Sequence, residues 1–148
     1  YDKDKPKTVK RNHGVTYQYG YDSYGNETEI SVGGTVLEKT AYKNRNGLTD
    51  RVTYATGESI RNEYDDREQL ISQYLVKKDG TEEKLFTNTY DNYGNVVCHV
   101  NHRNNQINHY QYDFIGRILG KDSSDGMRLR TVYDDKNRVK IMYLSCRG

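Results

Sequence analysis

Five aspartates recur after a tyrosine, at Asp22, Asp65, Asp91, Asp113 and Asp134. Such carboxylates could serve as catalytic acids or as calcium ligands. Calcium needs several oxygens converging from one loop, and no loop here has that spacing. Each aspartate instead opens a turn, where its side chain can accept backbone N–H groups two or three residues on, so a structural role is expected. His99, His102 and His109 invite a zinc reading. If Asn104-Asn105 forms a two-residue hairpin tip, His102 and His109 share one face and His99 takes the other, which disfavours a three-histidine site. Cys98 and His99 are neighbours in sequence and point to opposite faces of a strand, which argues against a nucleophilic pair. No nucleophile-elbow sequence and no glycine-rich phosphate loop is present. Cys98 and Cys146 are either two free thiols or one bridge, and do not make a disulfide scaffold. No catalytic residue, metal ligand or cofactor is expected.

The elements that carry these residues repeat. Tyr-Asp followed by a turn occurs at Tyr21-Asp22, Tyr64-Asp65, Tyr90-Asp91, Tyr112-Asp113 and Tyr133-Asp134, with a degenerate copy from Tyr42 to Gly47 and a trace at Tyr1-Asp2. The tyrosines are 20–26 residues apart. A second turn marker lies between them: Asn12-His13-Gly14, Gly33-Gly34, Thr56-Gly57, Asp79-Gly80, Asn104-Asn105 and Asp125-Gly126. Two turns in about 21 residues leave two strands of six to eight residues, an ordinary length. Gly25, Gly47, Gly94 and Gly116 supply positive φ at the fourth turn position. Asn137 tolerates that conformation, whereas Glu68 would be strained by about 1–2 kcal/mol. A different turn is therefore expected at Asp65–Glu68.

Alternation places Val15, Tyr17, Tyr19 and Tyr21 on one face, with Tyr110 and Tyr112 equivalent further on. Thr16, Gln18, His109 and Gln111 take the opposite face. Tyrosines stacked from repeat to repeat are expected to cover the aromatic face. Tyr17, Tyr19 and Tyr110, interleaved with Asn and Gln, are the candidate carbohydrate contacts.

The chain has 148 residues, of which 33% are hydrophobic, with 15 Tyr, 2 Phe and no Trp. Typical globular domains are roughly 45–50% apolar. Disorder would require a large net charge as well, and the balance of 23 basic to 21 acidic residues gives only +2. That balance also speaks against sequence-blind nucleic-acid binding. No apolar run approaches the ~18 residues of a membrane helix, and no signal peptide is visible. The basic run Lys3, Lys5, Lys7, Lys10, Arg11 is offset by Asp2 and Asp4, and reads as a solvated strand or edge.

The phased motif, with Tyr112-Asp113-Phe114-Ile115-Gly116-Arg117-Ile118 as its clearest copy, resembles the YD repeat of Rhs proteins. Their relatives include bacterial wall-associated proteins, the cocoon subunits of insecticidal Tc toxins and the teneurin shell. The resemblance covers nearly the whole chain. It implies an all-β fold: tandem antiparallel hairpins of about 21 residues joined into one continuous curved or spiralling sheet. In that family the sheet encloses a C-terminal toxin or other polymorphic domain.

The family's self-cleaving core follows the repeats near a Pro-containing motif. Pro6 is the only proline and lies at the wrong end, so no cleavage residue carries over. Residues 1–148 are read as a single array of about seven repeats. They start at Tyr1 rather than Met and are too short to close a shell, as expected of a fragment.

The expected function is that of a scaffold, not an enzyme: a wall segment of a secreted or cell-surface, polymorphic-toxin or wall-associated protein, bacterial in type. The expected partners are the rest of its own longer chain and other copies through exposed edge strands, with a surface glycan as a further candidate; nucleic acid and a membrane span are not among them. The alternative is a carbohydrate- or cell-wall-binding module. Choline-binding arrays also use short Tyr/Gly repeats but lean on Trp, which is absent.

Overall fold

The computed structural model describes residues 5–10 and 14–146. The Tyr1-Asp2 trace, Asp4, Lys3, Arg11 and the Asn12-His13 marker lie outside the described residues. Thirteen strands follow: β1 Thr8–Lys10, β2 Thr16–Tyr21, β3 Glu27–Val32, β4 Thr35–Tyr42, β5 Thr49–Tyr54, β6 Ser59–Tyr64, β7 Leu70–Val76, β8 Glu82–Tyr90, β9 Val96–Asn101, β10 Gln106–Tyr112, β11 Ile118–Ser123, β12 Met127–Tyr133 and β13 Val139–Cys146. They stand in chain order in one antiparallel sheet, as consecutive hairpins. The described residues contain no helix. This is the all-β hairpin array that the turn spacing predicts. Every even-numbered strand from β2 to β12 ends on a repeat tyrosine.

Two compact units divide the chain, one of residues 1–64 with 73–83, the other of 65–72 with 84–148. In the first, Tyr17 pairs with Val32 and Tyr19 with Ile30, while Gln18 pairs with Ser31. In the second, Tyr110 pairs with Lys121 and His109 with Asp122. The aromatic face therefore has apolar partners in the first unit, whereas in the second Tyr110 shares its face with Lys121 and Asn108. In five of the hairpins the register shifts just before the repeat tyrosine, at Tyr21, Tyr42, Tyr90, Tyr112 and Tyr133. Each shift is a bulge that leaves one residue of the outgoing strand unopposed.

Most of the markers between repeats are not two-residue tips. Gly33-Gly34 is one: Val32 pairs with Thr35 across it, and both glycines have positive φ, as a type I′ loop demands. At Gly57, Gly80 and Gly126 the loop has three residues and the glycine N–H bonds back to the carbonyl three residues earlier. That is a type I turn closed by a left-handed residue. At Asn104-Asn105 the tip is four residues long, because Gln106 pairs with Asn101 and Asn108 with His99. The pairing expected there is shifted by two residues. The parity of the shift is even, so His99 and His109 still lie on opposite faces.

The turn at Asp65–Glu68 overturns the expectation of a different geometry. Glu68 adopts φ 61°, and its N–H bonds to the Asp65 carbonyl at 3.1 Å as in the other copies. The rest of the turn holds it there. Asp65 N–H donates to the Gln69 carbonyl, and Asp65 Oδ1 accepts from the N–H groups of Arg67 and Gln69, each at 2.9 Å. Three such bonds, at about 0.5–1.5 kcal/mol each, exceed the left-handed strain.

The array has no hydrophobic interior in the usual sense. Among the described residues no hydrophobic side chain is buried, and the buried polar ones are Ser31, Ser59, Ser72, Asn108 and Thr131. Ser59 is bonded by the Arg51 guanidinium at 2.9 Å. Apolar and aromatic side chains are half-covered by their cross-strand neighbours, so stability rests on ladder hydrogen bonds and partial burial distributed along the chain.

Glu68→Gly should relieve the strain and raise stability by about 0.5–1 kcal/mol, read by chemical denaturation. An unchanged or lowered midpoint would mean that the glutamate side chain offsets its backbone cost.

Candidate functional site

The repeat motif builds one local unit six times. The first turn residue, Asp22, Asn44, Asp65, Asp91, Asp113 or Asp134, accepts through Oδ1 from the N–H groups two and four residues on, at 2.8–3.2 Å. Asn44 performs the aspartate's task in the degenerate copy, one residue later than the other copies because Lys43 is inserted. The second carboxylate oxygen takes the side chain four residues on: Asn26, Asn95, Arg117 and Arg138. Gly25, Gly47, Glu68, Gly94, Gly116 and Asn137 all carry positive φ at the fourth position. Gly47 meets a second constraint, since an added Cβ would lie 2.9 Å from Asn26 Oδ1 of the preceding turn.

Each repeat tyrosine reaches back to the repeat before it. The hydroxyls donate to backbone carbonyls as follows: Tyr42 to Glu27 at 2.6 Å, Tyr64 to Thr49 at 2.7 Å, Tyr90 to Leu70 at 2.9 Å, Tyr112 to Val96 at 2.8 Å and Tyr133 to Ile118 at 2.9 Å. In every case the acceptor is five residues past the preceding turn's Asp or Asn. Tyr21 makes the same kind of bond to Pro6, at 3.1 Å. Asn62 and Asn88 add an amide bond to the carbonyls that Tyr64 and Tyr90 use. Cations cover several rings: Lys5 lies over Tyr21 and bonds to the Gly25 carbonyl, Lys43 lies over Tyr64, and Arg117 over Tyr133 at 4.3 Å. The coupling between repeats thus includes hydroxyls and cations. The aromatic pair of Phe86 and His99, 5.4 Å apart, is not a pair of repeat tyrosines.

The electrostatics follow from these bonds. The Asn26 amide, with the turn's N–H groups, holds the Asp22 carboxyl below its ordinary range, and Asn95 does the same for Asp91. At Asp113 desolvation works upward and is outweighed by the N–H and guanidinium of Arg117. The Arg138 N–H lowers Asp134. Burial pushes the phenols of Tyr42, Tyr64 and Tyr112 up, which keeps them protonated as donors.

The remaining candidates do not converge. Cys98 and Cys146 are both free thiols. Cys98 faces His109 across β9 and β10, a juxtaposition that the shifted tip conceals from the sequence. His99 instead bonds to Asn88 Oδ1 at 2.7 Å, and His102 lies 2.9 Å from the Thr87 hydroxyl. Among the described residues no three His, Cys, Asp or Glu side chains could hold a metal ion.

Tyr17, Tyr19 and Tyr110 are half-buried, with Lys121 5.9 Å from the Tyr110 ring. The most exposed aromatics lie elsewhere, on the turns: Phe114 is 94% exposed, Tyr93 90% and Tyr24 67%. Tyr93 and Phe114 flank a cleft of about 470 Å³ between consecutive turns, with Val97, Tyr112, Asn95 and Ile115 also lining it. The signal in the sequence was a large apolar residue inside Asp-x-x-Gly, where turn chemistry favours polar ones.

No protein-family model matches the sequence, and no curated protein does. Solved structures do match. The Photorhabdus luminescens Tc holotoxin pore aligns over 94% of this chain with a TM-score of 0.76 at 16% identity. A TcdB2–TccC3 structure aligns over 95% at 0.68 and 19% identity, and a TcdB2–TccC3–Cdc42 structure over 97% at 0.62 and 14% identity. The chain has an Rhs/YD-repeat, shell-like fold. It spans 8–11% of the length of the solved chains it matches. The recurring Tyr and Asp are the clip and the turn of one unit.

The pH dependence follows from the shifts. The lowered carboxylates stabilise the array above their ordinary value of 3.8 and lose that contribution as pH falls through the lower folded values. The raised phenols stabilise it below 10.0 and lose theirs as pH rises through the higher folded values. Thermal midpoints followed by circular dichroism should be level between about pH 5 and 9 and fall on both sides. A level profile down to about pH 2 would show that the aspartate turns contribute nothing.

Proposed function

We propose that this chain is a scaffold: a wall segment, one sheet thick, of a longer secreted or cell-surface protein whose YD-repeat shell encloses or displays a C-terminal toxin or effector domain. The observation that carries this reading is the absence of a buried hydrophobic core among the described residues, combined with hairpins clipped one to the next by tyrosine hydroxyls. Such a unit is stabilised by its neighbours rather than by a sealed interior. The likeness to Tc-toxin structures supports it. No catalytic role is assigned: the recurring aspartates spend their oxygens on their own turns. Residues 1–148 count as one array of about seven repeats of that wall.

The test uses the longer polypeptide that carries this segment. Limited proteolysis should leave its C-terminal portion intact while the shell is folded and cleave it once mild acid has opened the wall. Equal cleavage of that portion in both states would remove the enclosing role.

The alternative, a carbohydrate- or cell-wall-binding module, is favoured by one observation: the cleft flanked by Tyr93 and Phe114. Its volume lies within the range of small-ligand sites, and exposed aromatic faces suit the apolar side of a sugar ring. On a glycan array, any binding should be lost in Tyr93→Ala and Phe114→Ala, or in Tyr17→Ala and Tyr110→Ala if the aromatic sheet face is used. Absence of binding by the parent chain would eliminate this reading.

A further inference from the structure

One row of side chains crosses the second compact unit from strand to strand. Thr89 of β8 faces Cys98 of β9, Cys98 faces His109 of β10, His109 faces Asp122 of β11, and Asp122 faces Arg128 of β12. Residues that face each other across a ladder share one side of the sheet, with Cβ atoms about 4.5–5.5 Å apart. A thiol, an imidazole and a carboxylate therefore follow one another along that side. The row depends on the length of the Asn104-Asn105 tip. A two-residue tip would set Val100 against His109; the observed register gives Val100 to Ile107 and Cys98 to His109.

The thiol and the imidazole are both uncommitted. Cys98 is a free, half-buried thiol, and His109 is exposed. Among the described residues neither side chain has a hydrogen bond, an ion pair or a ring contact. The neighbouring histidines differ: His99 is tied to Asn88, and His102 lies against the Thr87 hydroxyl. Asp122 is fixed in place by Arg130, whose Nη2 donates to both carboxylate oxygens at 2.9 Å, with Arg128 Nε at 3.6 Å. Those arginines offset its charge, yet each oxygen keeps a lone pair for a further donor. Asp122 is thus a fixed acceptor on the far side of His109 from Cys98.

These donors select a metal. Thiolate and imidazole suit zinc, whereas magnesium and calcium take oxygen. Zinc holds sulfur at about 2.3 Å and imidazole nitrogen at about 2.0–2.1 Å. Facing side chains on neighbouring strands can close on one ion at those lengths. A metal-bound histidine is commonly fixed in tautomer and orientation by a carboxylate that accepts its other ring N–H, and Asp122 stands where that acceptor is needed.

We propose that Cys98 and His109 form a two-ligand zinc site, with Asp122 as the positioning residue of the histidine. Water fills the remaining positions of the ion, because among the described residues no three His, Cys, Asp or Glu side chains converge. On binding, the S–H bond breaks and its proton goes to solvent. One sulfur–zinc and one nitrogen–zinc bond form, water leaves the ion, and no electron is transferred. The ion adds a side-chain link to the β9–β10 ladder. The proposal stands apart from the wall reading and does not depend on it.

The test titrates the 148-residue chain with zinc chloride, using Cys146→Ser as the parent so that Cys98 is the one thiol. Calorimetry in two buffers reads affinity, stoichiometry and proton release, and cadmium chloride reports sulfur ligation through its thiolate absorption band. One ion per chain is expected, with release of the thiol proton, a cadmium band and slower amide exchange in β9 and β10. Cys98→Ser should remove the band, and both it and His109→Gln should abolish measurable zinc binding. Asp122→Asn should weaken zinc about 10-fold while keeping the band. His102→Gln, outside the row, should change nothing. Circular dichroism checks that each variant keeps its sheet. The site is overturned by absence of binding to the folded parent, by affinity that survives Cys98→Ser and His109→Gln, or by one ion shared between two chains. Full affinity in Asp122→Asn would overturn the positioning role.

Discussion

A single-layer sheet cannot hold itself together by sealing side chains away from water, because each face has no second layer to pack on it. The hydroxyl-to-carbonyl clip of the repeat tyrosine supplies a specific link in that setting. It adds a directional bond between one hairpin and the one before it, on top of the backbone ladder. The tyrosine does two things that phenylalanine could not do together: the ring covers apolar surface, and the tip satisfies a backbone acceptor. This accounts for six of the 15 Tyr, namely Tyr21, Tyr42, Tyr64, Tyr90, Tyr112 and Tyr133.

The other features of the repeat serve that clip. The bulge on the outgoing strand, opposite the tyrosine, shifts the pairing by one residue there. The aspartate turn fixes where the outgoing strand starts, and so fixes the acceptor five residues past the aspartate. The side chain four residues on ties the turn to its own carboxylate and, at Asn26 and Arg117, to the following turn. Local hydrogen bonds thereby set a geometry that is propagated from neighbour to neighbour, as in other repeat proteins.

Two turns depart from what their residues alone favour. Glu68 has an unfavourable left-handed backbone, yet it takes the common turn because bonds made by Asp65, Arg67 and Gln69 outweigh the strain. The Asn104-Asn105 tip looked like a two-residue loop, yet four residues span it. In the first, hydrogen bonds within the turn overrule the preference of one residue; in the second, the register of the flanking strands does.

Sequence alone determined the phase of the array, the strand content, the alternation of faces and the position of each turn. These depend on local chemistry: turn residues at fixed offsets and side chains that alternate with period two. Tertiary structure alone decided what the tyrosines bond to, which rings lie under cations, that Cys98 faces His109, and that Tyr93 and Phe114 flank a cleft while Tyr17, Tyr19 and Tyr110 are half-buried. Those facts depend on pairing register between strands, and a shift of two residues in register preserves every face while changing every partner.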